Sequence, residues 1–201
     1  MKKEIRTMTL TPIQRSEDGA DEGAMIVEGY AAVFNSRTLL WESDYSGYRY
    51  MEEIDPEAFE GADLSRTVFK YNHADNGLVL ARASNNTLSL STDEHGLKVR
   101  AEIADTTSGR DLYTLIQRGD LDKMSFAFTV ANQVVEDDRE NKEYIRCIKR
   151  FDTIYDVSVV DFPAYDDTSI EARNDQAEYF KELEKRKIAE RRRRLMLMSM
   201  C

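Results

Sequence analysis

Asp122-Lys-Met-Ser-Phe-Ala-Phe-Thr-Val-Ala131 decides how the rest of this 201-residue chain is read. Met124, Phe126, Phe128 and Val130 alternate with Ser125, Ala127, Thr129 and Ala131, a period of two that predicts a β-strand. The large apolar set needs a core behind it. The small set leaves room in front, so Ser125 is expected to face open space, where a nucleophile could sit if another part of the chain supplies a base.

The chain is 41% hydrophobic and 33% charged, enough for one ordinary domain with some length to spare. A net charge of -10 opposes nonspecific binding of nucleic acid or of an anionic membrane, since phosphates repel it. The basic amino terminus leads into no apolar run, and nothing later approaches the roughly twenty apolar residues of a membrane span. A cytosolic protein is expected. Two cysteines, Cys147 in a strand-like run and Cys201 at the last position, give neither a disulfide framework nor a metal-finger spacing.

Outward from the decisive strand, β-formers dominate. Residues 4–10 and 24–34 predict an opening hairpin around the acidic loop 16–23, with Gly29 marking a bulge. Residues 35–53 lose their pattern and mix Trp41, Tyr45, Tyr48 and Tyr50 with polar residues, as a loop that lines a groove or plugs the side of a barrel would. Asp55-Pro56-Glu57 carries a helix start, cut short at Gly61. A strand over 67–72 runs into His73. Residues 78–83, 88–90 and 97–103 read as a meander with turns at 84–86 and 93–96. Residues 107–118 predict the one convincing helix, capped by Thr106 or Thr107 and stopped by Gly119. The Ser125 strand continues to about Glu136, turns over 137–142 and returns over 143–151. A further strand, 153–161, sets Tyr155, Val157 and Val159 against Ile154, Asp156, Ser158 and Val160. These short strands predict a mainly β protein with peripheral helices, a mostly antiparallel barrel over residues 1–173. A charged helical tail over 174–201 follows it. Its segment 178–194 carries eight basic and four acidic side chains, net +4, which leaves -14 on the remainder against -10 for the whole. The narrow apolar stripe of this tail suits a partner helix rather than a core.

Only two histidines exist. His95 occupies a turn flanked by acids. His73 ends an apolar strand, where a histidine can be held rigidly and still face a cleft, as a general base must. Asp156 sits mid-strand, where aspartate is disfavoured and a buried carboxylate needs a partner. A zinc reading of His73 and Asp75 lacks further ligands at any regular spacing, so no metal or cofactor is expected. Ser125, His73 and Asp156 are the residue types that nucleophilic acyl transfer requires: a hydroxyl, a base to take its proton, and an acid to orient the base.

An ordered set of motifs narrows the class. Gly29-Tyr30-Ala31-Ala32-Val33-Phe34-Asn35, Ile54-Asp55-Pro56-Glu57-Ala58-Phe59, Tyr71-Asn72-His73, Gly96-Leu97-Lys98-Val99, Gly109-Arg110-Asp111, Lys123-Met124-Ser125-Phe126-Ala127-Phe128 and Asp156-Val157-Ser158-Val159-Val160-Asp161-Phe162-Pro163-Ala164 together resemble the prohead maturation protease family of tailed bacteriophages, serine peptidases related in fold to the herpesvirus assemblins. The resemblance spans about residues 24 to 172. It implies His73 as general base and Ser125 as nucleophile. The family's last motif usually opens with glutamate, where this chain has Asp156, shorter by one methylene. Arg110 matches a family motif, but backbone N–H groups are equally able to hold an oxyanion.

The resemblance implies a virus-encoded serine endopeptidase in the host bacterial cytoplasm, inside the assembling prohead. Its substrates would be scaffold, or the scaffold-like segment of the major capsid protein, and itself. Self-association is allowed, and no membrane or nucleic-acid partner is expected. The charged tail would carry the enzyme into the prohead by pairing with scaffold helices. The rivals are a non-catalytic assembly protein that recruits capsid subunits through its tail, and a nucleic-acid-binding module using Arg191 to Arg194.

Overall fold

The computed structural model describes residues 3–8, 24–43 and 45–161, and five isolated positions, Glu182, Lys185, Arg186, Ala189 and Arg193. The chain divides into two units, Met1–Asp166 and Asp167–Cys201. In the second, the five described positions are helical and exposed. The rest of the tail, with the helix expected there, lies outside the described residues.

The first unit is mainly β. Its strands are β1 (Glu4–Met8), β2 (Met25–Val33), β3 (Thr38–Glu42), β4 (Arg49–Ile54), β5 (Val68–Tyr71), β6 (Ala81–Arg82), β7 (Leu88–Thr92), β8 (Gly96–Ile103), β9 (Lys123–Asp138) and β10 (Glu143–Val160); one helix, α1 (Thr107–Arg118), precedes β9. β9 and β10 form the long hairpin that organises a seven-stranded sheet. The alternation read from residues 124–131 is that of β9, whose Met124, Phe126 and Phe128 are fully buried. Phe126 and Phe128 stack with ring centroids 4.8 Å apart, and Phe151 of β10 meets Phe128 edge-on at 4.8 Å. Val27 of β2 with Leu97 and Val99 of β8 join the same core from a three-stranded sheet, β2-β8-β7.

Two motif glycines owe their identity to close packing. A Cβ on Gly96 would lie 1.9 Å from the Ala32 carbonyl oxygen, and one on Gly109 would lie 2.1 Å from that of Ala104. Neither position tolerates a side chain without backbone movement. The helix keeps its expected limits: the Thr106 hydroxyl accepts the Gly109 N–H at 3.0 Å, and Gly119, at φ 78°, sends its N–H back to the Ile116 and Leu115 carbonyls.

Four expectations are corrected. First, the sheets do not close into a barrel among the described residues. β10 is long enough to take two short strands in series on one edge, β4 beside residues 143–148 and β5 beside residues 156–159, both parallel. Among the described residues the seven-stranded sheet therefore forms no ladder with the three-stranded one. Second, β1 and β2 form no hairpin; β1 pairs with β9 and β2 with β8. The buried partners of Glu4 and Arg6, namely Arg146 and Glu52, lie in the larger sheet. Third, residues 35–43 and 45–53 have regular structure. β3 and β4 pair antiparallel there, Trp41 packs on Tyr50 at 4.9 Å, and Tyr48 stacks on Tyr144 at 4.9 Å, so these rings fill structure rather than line a groove. Fourth, Asp55 begins no helix: its carboxylate accepts the Glu57 N–H at 3.0 Å, and the chain continues through turns to Gly61. Of the predicted meander, β7 and β8 pair, while β6 joins β5 instead.

Candidate functional site

β9 and β10 pair so that Ser125 lies directly opposite Ser158, and Asp156, two residues earlier on β10, lies on the same face. β5 runs along the other edge of β10, with Tyr71 opposite Val159, and delivers the next residues to that face. There the backbone turns sharply: Asn72 and His73 both take left-handed conformations, at φ 51° and 53°. Such residues cost on the order of 1–3 kcal/mol each, less for asparagine, and persist only where surrounding contacts fix them. Here Asn72 donates its N–H to the Val159 carbonyl at 2.9 Å, and its side chain accepts the Asp161 N–H at 3.2 Å. The His73 N–H points at the Ser158 hydroxyl, 3.3 Å away.

This bend brings the three residues together. His73 Nε2 lies 2.6 Å from Ser125 Oγ, and its Nδ1 is in close hydrogen-bonding contact with Asp156 Oδ1. Ser158 Oγ donates to Asp156 Oδ1 at 3.0 Å, and Lys3 Nζ donates to Oδ2 at 3.2 Å. Burial of Asp156 opposes its ionisation. The hydrogen bond from His73, the His73 charge and the nearby Lys3 ammonium outweigh that penalty and hold the carboxyl below its ordinary range. A carboxylate on Nδ1 keeps a proton there and leaves Nε2 to accept from the serine.

The expected exposure of Ser125 is not found: the residue is fully buried. β1 lies along the edge of β9 with Thr7 opposite Ser125, and the Arg6 carbonyl accepts a hydrogen bond from Ser125 Oγ at 2.8 Å. Three participants were not read from the sequence. Ser158 was legible as a neighbour of Asp156 on its strand face, though not as a partner. Lys3 and the Arg6 carbonyl carry no local signal, because they reach the site through pairing across more than a hundred residues. Arg110 pairs with Asp105 on the exposed side of α1. His95 packs edge-on against Tyr30, at 4.7 Å, beside its turn. Among the described residues no group of three His, Cys, Asp or Glu is arranged to hold a metal ion, and no helix is long and apolar enough to cross a membrane.

A hydroxyl, an imidazole and a carboxylate joined in that order by hydrogen bonds form the arrangement that serine hydrolases use for acyl transfer. The family model described as caudovirus prohead serine protease matches residues 11–183, and the chain belongs to that family. No curated protein and no solved structure matches it.

Proposed function

We propose that this chain is the serine endopeptidase of prohead maturation, with Ser125 as nucleophile, His73 as general base and acid, and Asp156 as the group that orients His73. The observation that carries the reading is the unbroken contact from Ser125 Oγ through both ring nitrogens of His73 to Asp156. Ser125 attacks the peptide carbonyl as its proton passes to Nε2. His73 then returns that proton to the leaving amine, and water, activated by the same nitrogen, releases the acyl-enzyme. Membership of the prohead protease family supports the substrates: scaffold, or the scaffold-like segment of the major capsid protein, and the enzyme's own chain. The basic tail carries the enzyme into the assembling prohead by pairing with scaffold helices.

Intact-mass measurement of the purified wild type beside Ser125→Ala tests this. New termini in the wild type alone are expected, and coexpressed capsid protein should be processed by the wild type only. Processing by the alanine variant would remove Ser125 from the mechanism. The full burial of Ser125 is the one observation that favours a non-catalytic assembly protein. On that reading neither protein acquires new termini, and both retain capsid association.

A further inference from the structure

If Ser125 is the nucleophile, as proposed above, a substrate carbonyl must come within about 3–3.5 Å of its Oγ. That approach is closed. Ser125 is fully buried, and the Arg6 carbonyl of β1 already lies against its hydroxyl at 2.8 Å. We infer that β1 is a built-in occupant of the substrate's place, and that an extended substrate segment enters by replacing it along the β9 edge.

Proton placement shows why the occupied state is idle. A serine hydroxyl has one proton, and here two acceptors flank it, the Arg6 carbonyl and His73 Nε2. A proton held by the carbonyl is not donated to the base, so Oγ gains no nucleophilic character. β1 also brings Lys3 to Asp156, which draws the carboxylate's charge away from the imidazole it would steady.

The location of β1 makes exchange feasible. Among the described residues it is the terminal strand of its sheet and pairs there with β9 alone, through residues 124–128. Departure uncovers a row of backbone N–H and C=O groups beside the nucleophile, the kind of edge that accepts an extended peptide as a new strand. Nor does departure strand a buried charge. It gives up the contacts of Arg6 with Glu52 and of Glu4 with Arg146, but Glu52 and Arg146 stay paired with each other at 2.8 Å. The family match begins at residue 11, so the strand over the nucleophile lies outside the matched region, while Ser125, His73 and Asp156 lie within it. The partner is therefore an extended, β-forming polypeptide segment that pairs with residues 124–128.

The test uses the full chain and a small fluorophosphonate, which reacts with an activated serine by forming an Oγ–P bond as fluoride leaves and the hydroxyl proton passes to the base. Ile5→Pro removes a backbone donor from β1 and touches none of the three proposed catalytic groups. It should react about 10-fold faster than wild type or more, since it raises the share of molecules with β1 displaced. In protein that carries the adduct, amides of residues 4–8 should exchange hydrogen at least about 10-fold faster than in unreacted protein, because the phosphonyl group needs the space of the Arg6 carbonyl. An Ile5→Pro rate equal to wild type, or unchanged protection of residues 4–8 in the adduct, would overturn the inference. Failure of wild type and Ile5→Pro alike to react, as Ser125→Ala must fail, would instead dismiss Ser125 as nucleophile, and this proposal with it.

Discussion

The two faces of the β1–β9 pair both bury polar groups, and they use them in opposite ways. On the Ser125 face, Ser125, Ser158, His73 and Asp156 form a short chain in which one acid serves an imidazole and the Ser158 hydroxyl, and the imidazole meets Ser125. Opposite, Arg6 and Glu4 of β1 meet Glu52 and Arg146, two acids against two bases, with contacts of 2.5–2.8 Å. The two guanidiniums each contact both carboxylates, so this face holds a fixed geometry. On the first face the Ser125 hydroxyl lies between two acceptors, the Arg6 carbonyl and His73 Nε2. Burial on one face clamps the strand, and burial on the other holds one proton between two acceptors.

Breaking the Ser125 face should have the largest effect. Asp156→Asn keeps the shape but removes the charge that steadies the His73 cation and fixes its tautomer. Turnover should fall about 10⁴-fold, while melting temperature falls only by what the lost carboxylate charge contributed to folding. A loss under tenfold would show that Lys3 and Ser158 matter more to the base than the carboxylate does. Breaking the fixed face should act on stability instead. Arg146→Ala leaves Glu4 and Glu52 with a single guanidinium, and urea unfolding should register a loss of about 3–5 kcal/mol. Unchanged stability would mean that the ionic contacts do not clamp the strand.

Smaller effects sharpen the contrast. Ser158 ties the acid to the backbone of the base, donating to Asp156 and accepting from the His73 N–H. Ser158→Ala should lower kcat roughly tenfold, about 1.4 kcal/mol of transition-state stabilisation, and leave KM unchanged, with partial recovery in Ser158→Thr. A rise in KM alone would argue against a positioning role. The smallest effect concerns acid. The folded pKa of Asp156 lies below its ordinary value of 3.8, so the unfolded chain binds the proton more readily. Its contribution to stability is complete above that value and disappears as pH falls through the lower, folded one. Acid unfolding curves should thus show wild type losing stability below about pH 4 more steeply than Asp156→Asn. Parallel curves would mean that other carboxylates, Glu4 among them, carry the acid response.

Local patterns in the sequence disclosed what local physics controls. The period of two around Ser125, the cap and stop of α1 and the turn at 93–96 are set by residues close in sequence, and all appear where expected. Strand partnership is not local. Nothing in Glu4–Met8 indicates pairing with β9 rather than with the nearest β-forming segment, and the same lack concealed β4 and β5 lying in series along β10. The site was legible as types of residue because histidine is scarce and a mid-strand aspartate is unusual. The exposure of Ser125 was misjudged for a physical reason: alternation tells which face a side chain takes, but not whether another strand's backbone closes over it.

Finally, β10 has a bearing on timing. Among the described residues it is the last strand of its sheet and the one that pairs with β9, β4 and β5, and it also supplies Asp156. A growing chain that already contains His73 and Ser125 has no strand to join them until residue 160 has left the ribosome, which adds about 5–20 residues each second. Chains that stop short of β10 thus cannot bring His73, Ser125 and Asp156 together. Synthesis through β10 is a condition for that assembly, written into the order of the strands.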